Sequence, residues 1–263
     1  MQARKRDASH CDAVGDGSRL RVVSYDPGLT QRRHAHDYAS ITLILGGGLE
    51  ERAGRSTRQV ARGWMCVKAP GVEHACRFGG ERTQTLQLRL AAPGLLNDSL
   101  GDSSLPSWTW RPPGRLISEM LALLRLRDTP RLPDRATEAE ERVQDLLAAF
   151  LAPTRRAPER APAWLPRMRE ALVDGHESVD ELARACGVHR VHFARCFRHH
   201  VGVPPARYRR LMRVLRAINA VRRDPTALAA IAAAEGFADQ SHMIREVRAE
   251  TGLTPLAWRR WAQ

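Results

Sequence analysis

Lysine is almost absent from this sequence. Lys5 and Lys68 are the only two in 263 residues, and the rest of the 42 basic side chains are arginine. Aromatic residues are sparse, at 5%. The five cysteines, Cys11, Cys66, Cys76, Cys186 and Cys196, are odd in number, widely spaced and lack any C-x-x-C pair. A disulfide framework is therefore excluded as an organising principle, and a reducing compartment is expected. No run of about 18 apolar residues occurs, so no membrane span is expected. The first twenty residues contain no apolar h-region, so no secretory signal is expected and the location is cytoplasmic by default. The sequence shows no nucleophile elbow, P-loop or G-x-G-x-x-G, and its acidic clusters (Glu50–Glu51, Glu138–Glu141) read as solvated faces. An enzyme is not expected, no catalytic residue is assigned, and no cofactor is called.

What is present is positive charge. The formal net charge is +13, which favours polyanionic partners, nucleic acid first. Arginine suits bidentate contacts to phosphate and guanine. Residues 164–263 hold 17 arginines against 10 acidic residues, so the excess is shared between the two halves of the chain rather than confined to one.

The periodicity divides the chain. From about 18 to 92, short apolar or alternating runs ("LRVVSYDPG", "YASITLILGGGLEE", "QTLQLRL") are separated by turn residues, which predicts a small β-barrel or sandwich. From about 113 to 151, Leu116, Met120, Leu123, Leu124, Val143, Leu146, Leu147 and Phe150 recur at helical spacing. They predict a helical pair, broken at "RDTPRLPDR", whose apolar faces pack on the β-domain or on a second subunit. The proline- and arginine-rich "APTRRAPERAPAW" reads as a linker. The domains are thus expected at 1–151, with a linker at 152–163, and at 164–263.

The last hundred residues repeat themselves. "VGVPPARYRR" (201–210) aligns with "TGLTPLAWRR" (251–260), and "ELARACGV" (181–188) with "AIAAAEGF" (230–237). One supersecondary unit is used twice. Each unit reads as helix–turn–helix, with Gly187 and Gly236 at the turns and a long helix from about Pro205 to Arg222 between the units. Phe193, Cys196 and Phe197 face inward in the first unit, Met243 and Val247 in the second. The outer faces carry donors able to read base edges or hold phosphates.

The segment "GVHRVHFARCFRHHVGVPPARY", followed by "AAIAAAEGFADQSHMIREVRAETGLTPLAWRR", resembles the double helix–turn–helix domain of AraC/XylS-type transcription regulators over roughly 164–262. The resemblance implies a sequence-specific DNA-binding regulator whose two recognition helices enter successive major grooves, with RNA polymerase as a further partner. By position it points to Arg190, Val191, Ala194, Arg195 and Arg198 in the first unit. In the second it points to Gln240, Ser241, His242, Arg245 and Arg248. Arg209, Arg210 and Arg259 are expected to clamp phosphates. Val191 and Ala194 stand where larger polar groups could contact bases, so this helix is expected either to read thymine methyls or to rely on Arg195 alone. Met243 and Val247 stand where that family often has larger core residues.

"HAHD" and "GWMCVKAPGVEH" resemble the two motifs of the cupin barrel, which caps many such regulators as a ligand-sensing domain. His34, His36 and His74 are the expected ligand-binding residues, with a small-molecule effector and a homodimer implied. The cupin pattern expects a glutamate soon after the second histidine, and none occurs before Glu50, although Cys76 could replace it. No metal is assigned. The alternative is a cupin-type metal-dependent enzyme, or a metal or redox sensor, built on the same three histidines. Cys66 and Cys76 read as buried strand residues, Cys186 and Cys196 as core. The expected fold is two-domain: an N-terminal cupin-like β-barrel with a helical pair, and a C-terminal all-α domain with two helix–turn–helix units.

Overall fold

A computed structural model describes residues 5–14, 18–90, 107–126, 133–151, 161–174, 178–223 and 225–261. Ten strands come first: β1 (Lys5–Val14), β2 (Ser18–Tyr25), β3 (Thr30–His34), β4 (Ser40–Gly46), β5 (Gly48–Ala53), β6 (Ser56–Ala61), β7 (Met65–Lys68), β8 (His74–Phe78), β9 (Thr83–Arg89) and β10 (Trp108–Arg111). They form a six-stranded sheet, β1-β2-β9-β4-β7-β10, and a four-stranded sheet, β3-β8-β5-β6. The recorded pairings are antiparallel.

Period-two alternation decides the layering. Leu20, Val22, Ile41, Leu43, Met65, Val67, Leu86 and Leu88 all lie on one face of the large sheet, and all are buried against helices. The opposite face carries Arg21, Ser40, Thr42, Cys66, Lys68, Thr85 and Gln87 towards the small sheet. Between the sheets lies a small second core that includes Val23, Tyr25, Ile44 and Phe78.

A closed barrel is therefore not what forms. Closure would require hydrogen bonds between the edges of the two sheets, and none of the paired strands joins them. The physical reason is visible in the alternation. The large sheet turns its leucine face away from the small one, and rolling it into a barrel would leave that face uncovered. Helices cover it instead.

Those helices are α1 (Leu116–Ala122), which continues as a 3₁₀ turn (Leu123–Leu126), α2 (Pro133–Leu151), α3 (Leu165–Asp174), α4 (Val179–Ala185), α5 (Arg190–Val201), α6 (Pro205–Arg223), α7 (Leu228–Ala234), α8 (Gln240–Thr251) and α9 (Pro255–Arg260). The helical pair expected between 113 and 151 is α1 and α2. Its apolar stripe, including Met120, Leu124, Val143, Leu146 and Phe150, is buried within the chain itself. A second subunit is not needed to cover it. Residues 152–160 of the expected linker lie outside the described residues.

Helix α6 departs from a simple amphipathic pattern. The expected stripe of Tyr208, Leu211, Met212, Leu215, Ile218 and Val221 is buried, and so are Val214, Ala217, Asn219 and Arg222 on its other sides. It lies between both helix–turn–helix units and the large sheet, in one continuous core shared by strands and helices. The approach is close enough that a Cβ at Gly46 would sit 2.1 Å from the side chain of Asn219, so any larger residue there would have to displace it. Among the described residues, no helix is long and apolar enough to cross a membrane.

Candidate nucleic-acid interface and inter-sheet pocket

The internal repeat becomes two helices built alike. Helices α5 and α8 each span 12 residues. The turns before them use Gly187 and Gly236 at φ 67° and 75°, in the left-handed region where a Cβ is costly. Both helices end on a left-handed glycine, Gly202 or Gly252. Each is capped by a side chain: His189 accepts from Val191 N–H, and Asp239 from His242 N–H. Phe193 and Phe197 anchor α5, and Met243 and Val247 anchor α8; all four are buried. Cys186 and Cys196, expected as core, are only half-buried.

The outer faces sort the expected contact residues. Arg195 and Arg198 on α5 are exposed, as are Gln240, Ser241, Arg245 and Arg248 on α8. Their side chains make no hydrogen bond or ion pair among the described residues. Among the described residues Val191 is one of two large apolar side chains that stay exposed, at 49%, and Ala194 is half-buried. Arg190 is exposed and pairs with Asp180 at 3.4 Å.

Four of the expected residues lie elsewhere in the force balance. Arg210 lies 3.5 Å from Glu246 and 3.3 Å from Glu250. Arg259 donates to the carbonyls of Val221 and Thr226, closing the C-terminal end of α6. His242 accepts from Ala238 N–H at 3.2 Å, turns Nε2 to Glu246 at 3.3 Å and packs on Phe237. Arg209 is half-buried, and its charge helps to lower the Glu181 carboxyl, after hydrogen bonds from Ser178. Arg207, Arg210 and Arg213 line one side of α6 and meet Glu246 and Glu250 on α8. The spacings, i, i+3, i+6 against i, i+4, put both sets on facing stripes. This network fixes α8 to the core, and it removes Arg210 from the arginines free to meet phosphate.

The second feature is a cavity of about 170 Å³ between the sheets. His34, His36 and His74 converge there, with ring centroids 4.3 to 5.4 Å apart. Their ligand atoms fall within 4.8 Å of one another. The Nδ1 of His34 lies 2.7 Å from the carbonyl of Arg32, and that of His74 lies 3.0 Å from the carbonyl of Val72. A carbonyl can only accept, so each ring directs an Nδ1–H to backbone. Burial, then the charge of Lys68, holds the His74 pKa below its ordinary value.

Beside the histidines sits a group that the sequence reading placed on a solvated face. Glu51 is 2% exposed. Lys68 Nζ lies 2.5 Å from one of its oxygens, and the indole N–H groups of Trp108 and Trp110 donate to the other at 2.6 and 2.7 Å. Burial raises the Glu51 pKa, but the Lys68 charge and the hydrogen bonds from Lys68 and Trp108 outweigh it, and the carboxyl is held below its usual value. Burial lowers Lys68, and the charge of Glu51 more than reverses that. Glu51 belongs to the small sheet, and Lys68, Trp108 and Trp110 to the large one. The pair is an electrostatic clamp between sheets that no strand pairing joins. Cys76 lies 3.5 Å from Glu51, and burial, then the Glu51 charge, pushes its thiol well up. Cys66 is buried and raised for the same reasons. Both are thiols at neutral pH and are buried strand residues, as expected from sequence.

Residues 182–260 match the helix-turn-helix domain family. The chain carries an AraC-type helix–turn–helix domain. Among solved structures it is similar to unsaturated fatty acid-bound ToxT from Vibrio cholerae, with 11% identity over 92% of this chain and 95% of that one, at a TM-score of 0.41. It is also similar to an AraC-type transcriptional regulator from Chromobacterium violaceum, with 25% identity over 38% and 92% and a TM-score of 0.36. A third similar structure is the C-terminal domain of the response regulator AraT from Geobacillus stearothermophilus, with 17% identity over 39% and 88% and a TM-score of 0.36. No curated protein matches the chain.

The AraC-type domain contains both repeat units, so α5 and α8 are its two recognition-helix candidates. The inter-sheet clamp lies outside it, and it was the part sequence reasoning missed. Two signals were available. Leu49 and Glu51 share a phase in "GLEERA", which places a carboxylate on the buried face of β5. Lys68 is one of only two lysines in an arginine-rich chain.

Proposed function

We propose that the chain is a sequence-specific DNA-binding transcription regulator, and that α5 and α8 enter successive major grooves. The observation that carries this is the matched pair of capped helices, each turning uncommitted arginines and small polar donors outward from a buried anchor. Arg195, Arg198, Arg245 and Arg248 serve phosphates and guanine edges. Gln240 suits adenine, and Val191 suits a thymine methyl. Such a regulator works on RNA polymerase at promoters, and that contact is part of the proposal. The inter-sheet pocket is its effector site. At about 170 Å³ it suits a small polar molecule, met by the imidazoles and by Tyr38 and Gln87 on the walls.

The test is selection of bound sequences from a random duplex pool at fixed salt. The full chain is the right reagent, because α6 shares its core with the large sheet. A two-box motif, with boxes about 10 bp apart, is the expected result. Enrichment of no motif would overturn the proposal.

A second reading is favoured by one observation: His34 and His74 both direct Nδ1–H to a carbonyl, and the ligand atoms of His34, His36 and His74 lie within 4.8 Å of one another. That is the arrangement that orients imidazoles around a metal. The three histidines would hold a divalent transition metal ion, and the chain would sense it. Glu51 is not among the ligands, because Lys68, Trp108 and Trp110 occupy its oxygens. Zinc or nickel titration of the full chain, with His74→Ala as control, decides it. A site of unit stoichiometry that the variant abolishes supports the reading, and no uptake ends it.

A further inference from the structure

Strand β9 has two working faces. Thr85 and Gln87 point into the inter-sheet pocket. Gln84 shares its phase with Leu86 and Leu88, on the face packed against helices, and is 1% exposed. Its Oε1 accepts from Arg222 Nε at 3.1 Å. Arg222 NH1 also donates to the carbonyl of Trp258, at 3.3 Å. One guanidinium thus joins β9 of the large sheet, the end of α6 and α9 of the second helix–turn–helix unit. It is 9% exposed and has no carboxylate partner among the described residues.

The neighbouring contact is built on the same register. Gly46 on β4 is the cross-strand partner of Gln84, immediately after an irregularity in the ladder between Ile44 and Gly46. Asn219, one helical turn before Arg222, lies against Gly46. Its Oδ1 is buried without a hydrogen bond. Strand β4 likewise turns Ser40 and Thr42 into the pocket. Two adjacent strands therefore line the cavity on one face and grip α6 on the other. They grip it through side chains three residues apart on that helix.

Such a junction is poorly compensated. A buried guanidinium bound only to neutral acceptors keeps much of its desolvation cost, and the Asn219 carbonyl adds to it. Close-packed interiors pass displacement on rather than absorb it. A shift of β9 by a ligand in the pocket reaches Gln84 within one residue.

We propose that Arg222 and Asn219 on α6, docked on the register pair Gln84 and Gly46, couple occupancy of the inter-sheet pocket to the orientation of the DNA-binding helices. This rests on the regulator reading for its output, but the coupling has a readout of its own. Gln87→Met changes the pocket face of β9 without touching the junction. It is made in the native background and in Arg222→Met, whose side chain has similar reach without the buried charge. Gln84→Ala provides a second cut if Arg222→Met does not fold. Hydrogen exchange of α6 and α9 amides is followed in the full chain, together with its affinity for the selected duplex.

The expected result is a Gln87→Met change in α6 protection, and a change in DNA affinity of about fivefold or more, in the native background. Both are lost when the junction is cut. Equal changes with and without Arg222, or no change of protection in either background, would overturn the coupling. If protection behaves as expected but the unsubstituted chain selects no DNA sequence, the regulator reading fails and the coupling stands.

Discussion

The Glu51–Lys68 clamp makes the sharpest energetic prediction. Glu51→Gln keeps the shape of the side chain and an acceptor for the indoles, but it removes the negative charge 2.5 Å from Lys68 Nζ. The lysine side chain is 13% exposed, so its ammonium has little water to turn to. Breaking one partner of a buried pair costs about 3–5 kcal/mol, because the other charge is left uncompensated. Lys68→Met leaves a carboxylate that still accepts from Trp108 and Trp110, so its cost should be smaller. Hydrogen bonds to a charged group offset about 1.5–3 kcal/mol each. The double variant Glu51→Leu/Lys68→Met removes both charges and should lie within about 1–2 kcal/mol of the parent, since buried pairs are often replaced by apolar residues at little net cost. Urea unfolding followed by tryptophan fluorescence measures all three, and Trp108 and Trp110 report from the clamp itself. If Glu51→Gln stays within about 1 kcal/mol of the parent, or if the double variant is as unstable as the two single losses combined, the clamp is not what ties the sheets.

The same pair sets a pH dependence. Glu51 is held below its ordinary value of 4.5, so its contribution is present above that pH and is lost as pH falls below it. Acid titration of stability should be shallower in Glu51→Gln. Gly46→Ala drives a methyl into Asn219 and should cost about 1–3 kcal/mol, partly recovered by adding Asn219→Ala, in thermal unfolding of the full chain. Arg245→Ala should weaken binding to the selected duplex by about 1–3 kcal/mol and relax choice at one base position, whereas an unchanged sequence logo would remove α8 from the groove. Arg248→Ala should reduce the slope of log K against log salt by about 0.9. Arg259→Ala should leave that slope unchanged and instead lower stability by about 1–3 kcal/mol, because it strips the donors from the carbonyls of Val221 in α6 and Thr226 just beyond it.

The C-terminal half was legible in the sequence because its signals are local. Gly187, Gly202, Gly236 and Gly252 all take positive φ, and each is marked by residue type alone. The anchors Phe193, Phe197, Met243 and Val247 follow from helical spacing. The β region from 18 to 92 was legible for the same reason, down to the alternation in "QTLQLRL", whereas β1 and β10 lie outside it and went unread. What could not be read was which side of each strand faced what. Thr85 and Gln87 look like a solvent face, yet Thr85 is 1% exposed, because a second sheet lies over it. Alternation reports two environments and does not name them. The closed barrel failed on that point, and of the two surfaces expected to cover α1 and α2 it is the chain itself that buries their stripe.

The arginines show a related limit. Composition counts a charge wherever it occurs, but the electrostatic force on DNA depends on how many charges remain uncompensated at the surface. On α6, Arg207, Arg210 and Arg213 answer to Glu246 and Glu250, Arg216 pairs with Glu235 at 2.8 Å, and Arg222 is buried. On the helix richest in arginine, five of seven guanidiniums are thus committed within the chain. Its guanidiniums tie α8, through Glu246 and Glu250, and the large sheet, through Gln84, to α6, whereas Arg195 and Arg198 on α5 and Arg245 and Arg248 on α8 stay outward. Under the proposed function this division matters, since a phosphate contact made by Arg207, Arg210 or Arg213 would compete with the contacts that hold α8 in place.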